Sequence, residues 1–178
     1  MIRIWLLSGN IIAIPEEITL SEGNVIASGV QIPEQWELEF DAYISASSSE
    51  GWVSLIHFTT GENWVAAGSR VPGVWYHMTG ELICVAETET NFDARVHLYE
   101  NLADKWITIR MMRKLADDGT YPYFCYVDDE LIGTIPNTDL TPYTVTVYAS
   151  DPWHGVDNAR MKNLRFAGKS NEYLETGM

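Results

Sequence analysis

Basic residues are what this chain of 178 residues most lacks: 11 Lys and Arg stand against 25 Asp and Glu, a formal net charge of −14. A field of that sign repels phosphate backbones and anionic lipid headgroups, which argues against nucleic acid and membrane surfaces as partners. It suits a well-solvated surface, and equally carboxylates that hold a hard cation such as calcium. Helical periodicity is nearly missing, and no run approaches the ~20 apolar residues that a membrane-spanning helix needs. The apolar stretch from Met1 to Leu7 is interrupted by Ser8-Gly9-Asn10, too early for a signal peptide; a secreted protein would have lost its leader from this chain. There is no Asn-x-Ser/Thr acceptor, no Gly-x-Ser-x-Gly elbow and no glycine-rich phosphate loop, so the sequence gives no sign of glycosylation, of an α/β-hydrolase nucleophile or of nucleotide binding.

Cysteine is scarce too. Cys84 and Cys125 each fall inside a strand-like run, Leu82-Ile-Cys-Val-Ala86 and Tyr123-Phe-Cys-Tyr-Val127. Two separate buried thiols acting as small hydrophobes are the favoured reading. A bridge across one sheet or between two stays open, since strand parity alone does not bring the pair within bonding distance. The histidines (His57, His77, His97, His154) show no zinc-type spacing, and His57 and His97 read as satisfied core or edge residues.

Apolar and aromatic side chains are plentiful: 46% hydrophobic residues, with 7 Trp, 9 Tyr and 5 Phe. That is ample for one core in a chain of single-domain length. Period-two runs separated by Gly, Pro, Asn, Asp and Ser recur throughout, at 2–7, 10–14, 16–20, 24–29, 36–45, 52–58, 64–67, 73–78, 81–86, 94–99, 105–113, 121–128, 130–135, 143–150 and 160–166. They predict an all-β protein, a two-sheet antiparallel sandwich over residues 1–166 with a flexible tail over 167–178. The clearest strand is Gln35-Trp-Glu-Leu-Glu-Phe-Asp-Ala-Tyr-Ile-Ser45. Trp36, Leu38, Phe40, Ala42 and Ile44 share one face; Glu37, Glu39, Asp41 and Tyr43 share the other. A slip of one residue would bury three carboxylates, so the register is fixed.

Between Trp106 and Phe166 the order is a Trp-led strand (Lys105-Trp-Ile-Thr-Ile-Arg-Met-Met-Arg113), a Tyr-Val-Asp hairpin (Tyr123 to Gly133), a late strand (Val145-Thr-Val-Tyr-Ala-Ser150) and a closing Arg160-Met-Lys-Asn-Leu-Arg-Phe166. This order resembles the C-terminal half of a concanavalin A-like jelly roll, the superfamily of laminin G domains, pentraxins and many lectins. Leu55-Ile-His-Phe58 followed by Asn63-Trp64 resembles a galectin's sugar strand, except that Thr59-Thr-Gly61 replaces the Asn-Pro-Arg that would hydrogen-bond galactose. His57, Thr59, Gly68, Arg70, Pro72 and Trp75, with Tyr148-Ala-Ser-Asp-Pro-Trp153, are similar to a pattern in lectin-like extracellular domains. The resemblance implies pairing of the first strand, Ile2 to Leu7, with the last, and an extracellular or secreted module that binds a glycan or an extracellular protein.

Candidate ligand contacts are Arg70, Trp75, Trp153 and His154. Arg70 offers a bidentate clamp for a carboxylate or a loop tie through carbonyls. Trp75 reads as a sugar-stacking face or a core plug. Ser150-Asp-Pro-Trp-His-Gly-Val-Asp-Asn158 is too irregular for strand packing to explain Trp153 and His154, and a partly exposed Trp with polar neighbours suits a carbohydrate. Asp151 and Asp157 are the candidate calcium ligands, with Asp151 as a backbone cap the alternative. The rival readings are a glycoside hydrolase or lyase using Glu37, Glu39 and Asp41, and a self-associating structural domain.

Overall fold

The structure, a computed structural model, describes residues 7–46, 51–63, 66–155 and 158–169. These residues form β1 (Leu7–Ile14), β2 (Ile18–Thr19), β3 (Val25–Gln31), β4 (Trp36–Ile44), β5 (Trp52–Thr59), β6 (Gly73–His77), β7 (Glu81–Thr88), β8 (Asn91–Tyr99), β9 (Trp106–Arg113), β10 (Tyr123–Val127), β11 (Glu130–Ile135), β12 (Thr144–Tyr148) and β13 (Ala159–Lys169), with no helix among them. Two antiparallel sheets stack as a jelly-roll sandwich. Sheet I runs β1-β13-β4-β9-β10-β11, with β2 beside β13; sheet II runs β3-β12-β5-β6-β7-β8.

Alternation builds the core. In β4 every second residue is buried, Trp36, Leu38, Phe40, Ala42 and Ile44 being at most 1% exposed. They meet Phe58, Val74, Tyr76 and Leu82 from sheet II in one continuous cluster. Each large side chain so buried contributes about 1.5–3 kcal/mol, which fixes the parity predicted from sequence.

Three local departures from the expected layout matter. The first strand does pair with the last, but through Leu7–Ile14 against β13; residues 2–6 of the expected strand lie outside the described residues. β13 continues to Lys169, and Ala167 is fully buried, so the predicted tail starts too early. Of the expected 64–67 strand, residues 64–65 lie outside the described residues, and 66–67 are in no sheet but lead through Gly68 and Ser69 into the turn before β6.

Cys84 and Cys125 form a disulfide, with Cα atoms 6.6 Å apart, in place of the two thiols expected. Cys84 lies on β7 of sheet II and Cys125 on β10 of sheet I, both facing the core. The sequence placed each cysteine in a strand-like run, but only the stacking of the sheets sets them opposite one another.

β5 carries a bulge. Ser54 pairs with Trp75 and Ile56 with Val74, leaving Leu55 as the extra residue. Leu55 and Ile56 therefore both enter the core, and His57 turns to the outer face.

Candidate functional site at the outer face of sheet II

The bulge sets His57 in register with Gly73 of β6 and Tyr148 of β12. Two residues on, Trp75 lays its indole back over Gly73, where any Cβ would collide with the ring. Trp75, Ile83 and Val85 are buried together on this outer face, with Trp52 packed against them, as a second small cluster separate from the main core. Two connections fold over it: residues 60–63 and 66–72, between β5 and β6, and the segment between β12 and β13 that begins Ala149-Ser-Asp-Pro-Trp-His154.

Asp151 is the centre of the arrangement and is fully buried. Its Oδ1 accepts the backbone N–H groups of Trp153 and His154, each at 3.0 Å, and His154 Nδ1 lies 2.9 Å away. Its Oδ2 accepts from His57 Nδ1 at 3.0 Å and from the Trp75 Nε1–H at 3.2 Å. On its other side His57 Nε2 lies 2.6 Å from the carbonyl of Ser69. Both partners of His57 are acceptors, so the ring is held from both sides between the Asp151 carboxylate and a backbone carbonyl. Burial pushes the Asp151 carboxyl up, but the hydrogen bonds from His154 and His57 overcome it and hold the group well below the usual carboxylate range. The backbone capping role considered for Asp151 is present, and His57 proves to be a buried hub as well as a packed ring.

Arg70 is buried above Trp75, its guanidinium carbon 4.5 Å from the ring centroid. It donates from Nε to the Asn63 carbonyl at 2.9 Å and from Nη1 to Asp93, which also receives Arg95. Burial lowers the Arg70 pKa and the Asp93 carboxylate opposes the shift. The arginine thus ties Asn63 and its own backbone, both in the connection between β5 and β6, to β8. Nearby, the buried Glu87 accepts the N–H of Gly68 and the hydroxyl of Tyr143, at 2.7 Å for the latter. Burial first, and then that bond to Glu87, raises the Tyr143 pKa.

Of the four predicted contacts, two form the floor and two the surface. Trp75, 1% exposed, has no open face for a ligand, and Arg70 is committed to Asp93 and Asn63. Trp153 is 41% exposed. Its ring stands edge-on to His57 and Tyr148, with centroids 5.7 and 6.1 Å away. His154 beside it is part-exposed. Sequence reasoning missed Asp93, 23 positions from Arg70, and the hub role of His57, 94 positions from Asp151; at such separations there is no local signal.

Asp151, one of the two predicted calcium ligands, is not set up to hold that ion. Both oxygens of Asp151 are surrounded by N–H donors, which a dication would have to displace, and Asp157 lies outside the described residues. Among the described residues no three His, Cys, Asp or Glu side chains are grouped to share a metal.

Glu37, Glu39 and Asp41 occupy the outer face of sheet I, across the sandwich from Trp153. Glu37 bonds Arg165 at 2.8 Å, Glu39 lies 3.8 Å from the same guanidinium, and Asp41 accepts from Thr108 and Asn163. These acids serve as pairing partners on a half-exposed sheet face.

No family model matches this chain, and no curated protein matches it either. Solved structures do. Mouse laminin α1 chain domains LG4-5 align with a TM-score of 0.56 at 10% identity, over 90% of this chain and 43% of that one, so the chain spans less than half of that structure. The CBM40 of the Ruminococcus gnavus IT-sialidase, bound to α2,3-sialyllactose, aligns at 0.52 and 15% identity over 89% and 91%. The endo-β-1,4-glucuronan lyase of the fungus Trichoderma reesei aligns at 0.50 and 14% identity over 90% and 76%. A laminin segment, a sugar-binding module and a lyase share this architecture, so the likeness defines a jelly-roll sandwich and leaves function to the site.

Proposed function

We propose that the protein is a glycan-recognition module whose ligand packs on Trp153, with His154 as the adjacent polar contact. The observation that carries this reading is the setting of Trp153: a large ring exposed at the surface, yet fixed by its backbone bond to a buried carboxylate and by edge contacts to two aromatic rings. A pre-fixed aromatic face loses little conformational freedom when a sugar stacks on it. The sialyllactose-bound neighbour supports the same reading by showing that this architecture can hold a glycan. An extracellular setting is supported by the disulfide, which persists in oxidising compartments.

The test is a glycan array followed by calorimetric titration of the tightest hits, with α2,3-sialyllactose, lactose and cellotetraose included as defined probes. Binding by the wild type that falls at least tenfold in Trp153→Ala, with near-UV circular dichroism otherwise retained, is the expected result. Absence of binding to every glycan, or equal binding by Trp153→Ala, overturns the proposal. A chelator arm leaves binding unchanged, because Asp151 is committed to N–H donors.

A further inference from the structure

His154 differs from the other ring in this cluster in one respect. Its Nδ1 is 2.9 and 3.1 Å from the two oxygens of Asp151, while its Nε2 has no protein partner among the described residues and is not among the buried unpaired atoms. One nitrogen is thus turned into the fold and the other reaches solvent beside Trp153. The inner nitrogen has two neighbours that compete for it: the Asp151 carboxylate, which can only accept, and the Trp75 Nε1–H at 3.2 Å, which can only donate. The indole has a second acceptor in Asp151 Oδ2 at 3.2 Å, so it is satisfied without His154. A bare Nδ1 would set its lone pair against a fully buried anion, whereas a protonated Nδ1 makes a charge-assisted bond to it. The hydrogen therefore belongs on Nδ1.

We infer that Asp151 is a positioning residue that fixes neutral His154 in the Nδ1–H tautomer, and that the bare Nε2 makes the site select ligands presenting a hydroxyl donor over those presenting a carboxylate. This rests on the glycan reading of Trp153 and names the chemistry it favours. A carboxylate bonded to the inner nitrogen sets which imidazole nitrogen faces the partner, as it does for histidines that bind metals. The two N–H bonds from Trp153 and His154 to Asp151 Oδ1 hold the backbone of both contact residues to the same anchor, so the aromatic face and the acceptor nitrogen keep a fixed relation.

The experiment is nitrogen-15 NMR of the imidazole rings in the intact chain at neutral pH, with His154 assigned by the signals lost in His154→Gln. The expected spectrum has a pyrrole-type Nδ1 and a pyridine-type Nε2 for His154. Asp151→Asn moves the ring toward the Nε2–H form; if that variant does not fold, the wild-type spectrum still decides. With the probe sugars, lactose is expected to bind at least tenfold more weakly to His154→Ala than to the wild type, and sialyllactose is expected to gain no affinity from its carboxylate. A wild-type Nε2–H tautomer, or a lactose affinity unchanged in His154→Ala, overturns the inference. If the tautomer is as assigned and no sugar binds, the positioning role of Asp151 stands and the glycan reading falls, so the two failures are distinguishable.

Discussion

Trp75 and Asp151 lie 76 positions apart, and the indole Nε1–H donates to Oδ2 at 3.2 Å beneath a surface that exposes only 1% of the tryptophan. That bond ties β6 to the segment carrying Trp153 and His154, so floor and surface of the site stand or fall together.

Trp75→Phe keeps a ring over Gly73 and deletes the donor. A hydrogen bond to a charged acceptor is worth about 1.5–3 kcal/mol, the loss expected in chemical denaturation. Gly73→Ala attacks the same contact from below: its methyl group meets the indole, and overpacking of this kind costs about 1–3 kcal/mol. If Gly73→Ala leaves stability unchanged, the indole does not rest where the structure sets it.

Asp151 gives a pH signature. A carboxyl held below its ordinary value of 3.8 contributes stability that is complete above that value and lost as pH falls through the lower folded value. The wild type is therefore expected to lose unfolding free energy on acidification below the ordinary carboxylate range. Asp151→Asn, already less stable at neutral pH by about 1–3 kcal/mol because the amide cannot accept every buried donor that meets the carboxylate, is expected to show a flatter acid limb. Parallel limbs for the two proteins would contradict the assignment.

Removing the bridge between the sheets should be costly. Closing 41 residues of sequence separation corresponds to about 4 kcal/mol of unfolded-chain entropy. For a domain of this size that is a fall in Tm of roughly 8–16 °C in a Cys84→Ala, Cys125→Ala double variant. Calorimetry of the oxidised wild type against the variant measures it, and equal melting would show that the cysteines do not pair.

Trp153→Ala separates binding from folding. The ring is partly exposed and makes edge contacts only, so the expected loss of stability is about 1 kcal/mol or less, against a tenfold or larger loss of glycan affinity. A large fall in Tm with affinity intact would make the ring a structural rim plug.

On the opposite sheet, Arg165→Ala removes the cation that Glu37 bonds and Glu39 approaches. Part-exposed ion pairs are weak, so a cost of about 1 kcal/mol or less is expected, with glycan binding untouched. A loss of binding would move the functional face to sheet I.

What could be read directly from the chain was parity. β4 announced itself because five apolar and four polar side chains alternate without a break, and a slip of one residue would bury carboxylates. The Trp153 segment stood out because Pro152 and Gly155 rule out a strand there. The bulge at Leu55 was not legible: two inward residues in succession look like ordinary apolar sequence, and only pairing against β6 reveals which way His57 turns.

The amino-acid sequence by itself determined the class of architecture, the buried face of each regular strand and the presence of an aromatic loop, since all three follow from side-chain polarity repeating along one local backbone. Tertiary structure alone decided that Cys84 meets Cys125, that Arg70 belongs to Asp93, and that His57, Trp75 and His154 converge on one buried carboxylate. Those contacts join strands of different sheets and loops far apart in the chain, where geometry comes from the stacking and twist of the whole and no short-range pattern encodes it.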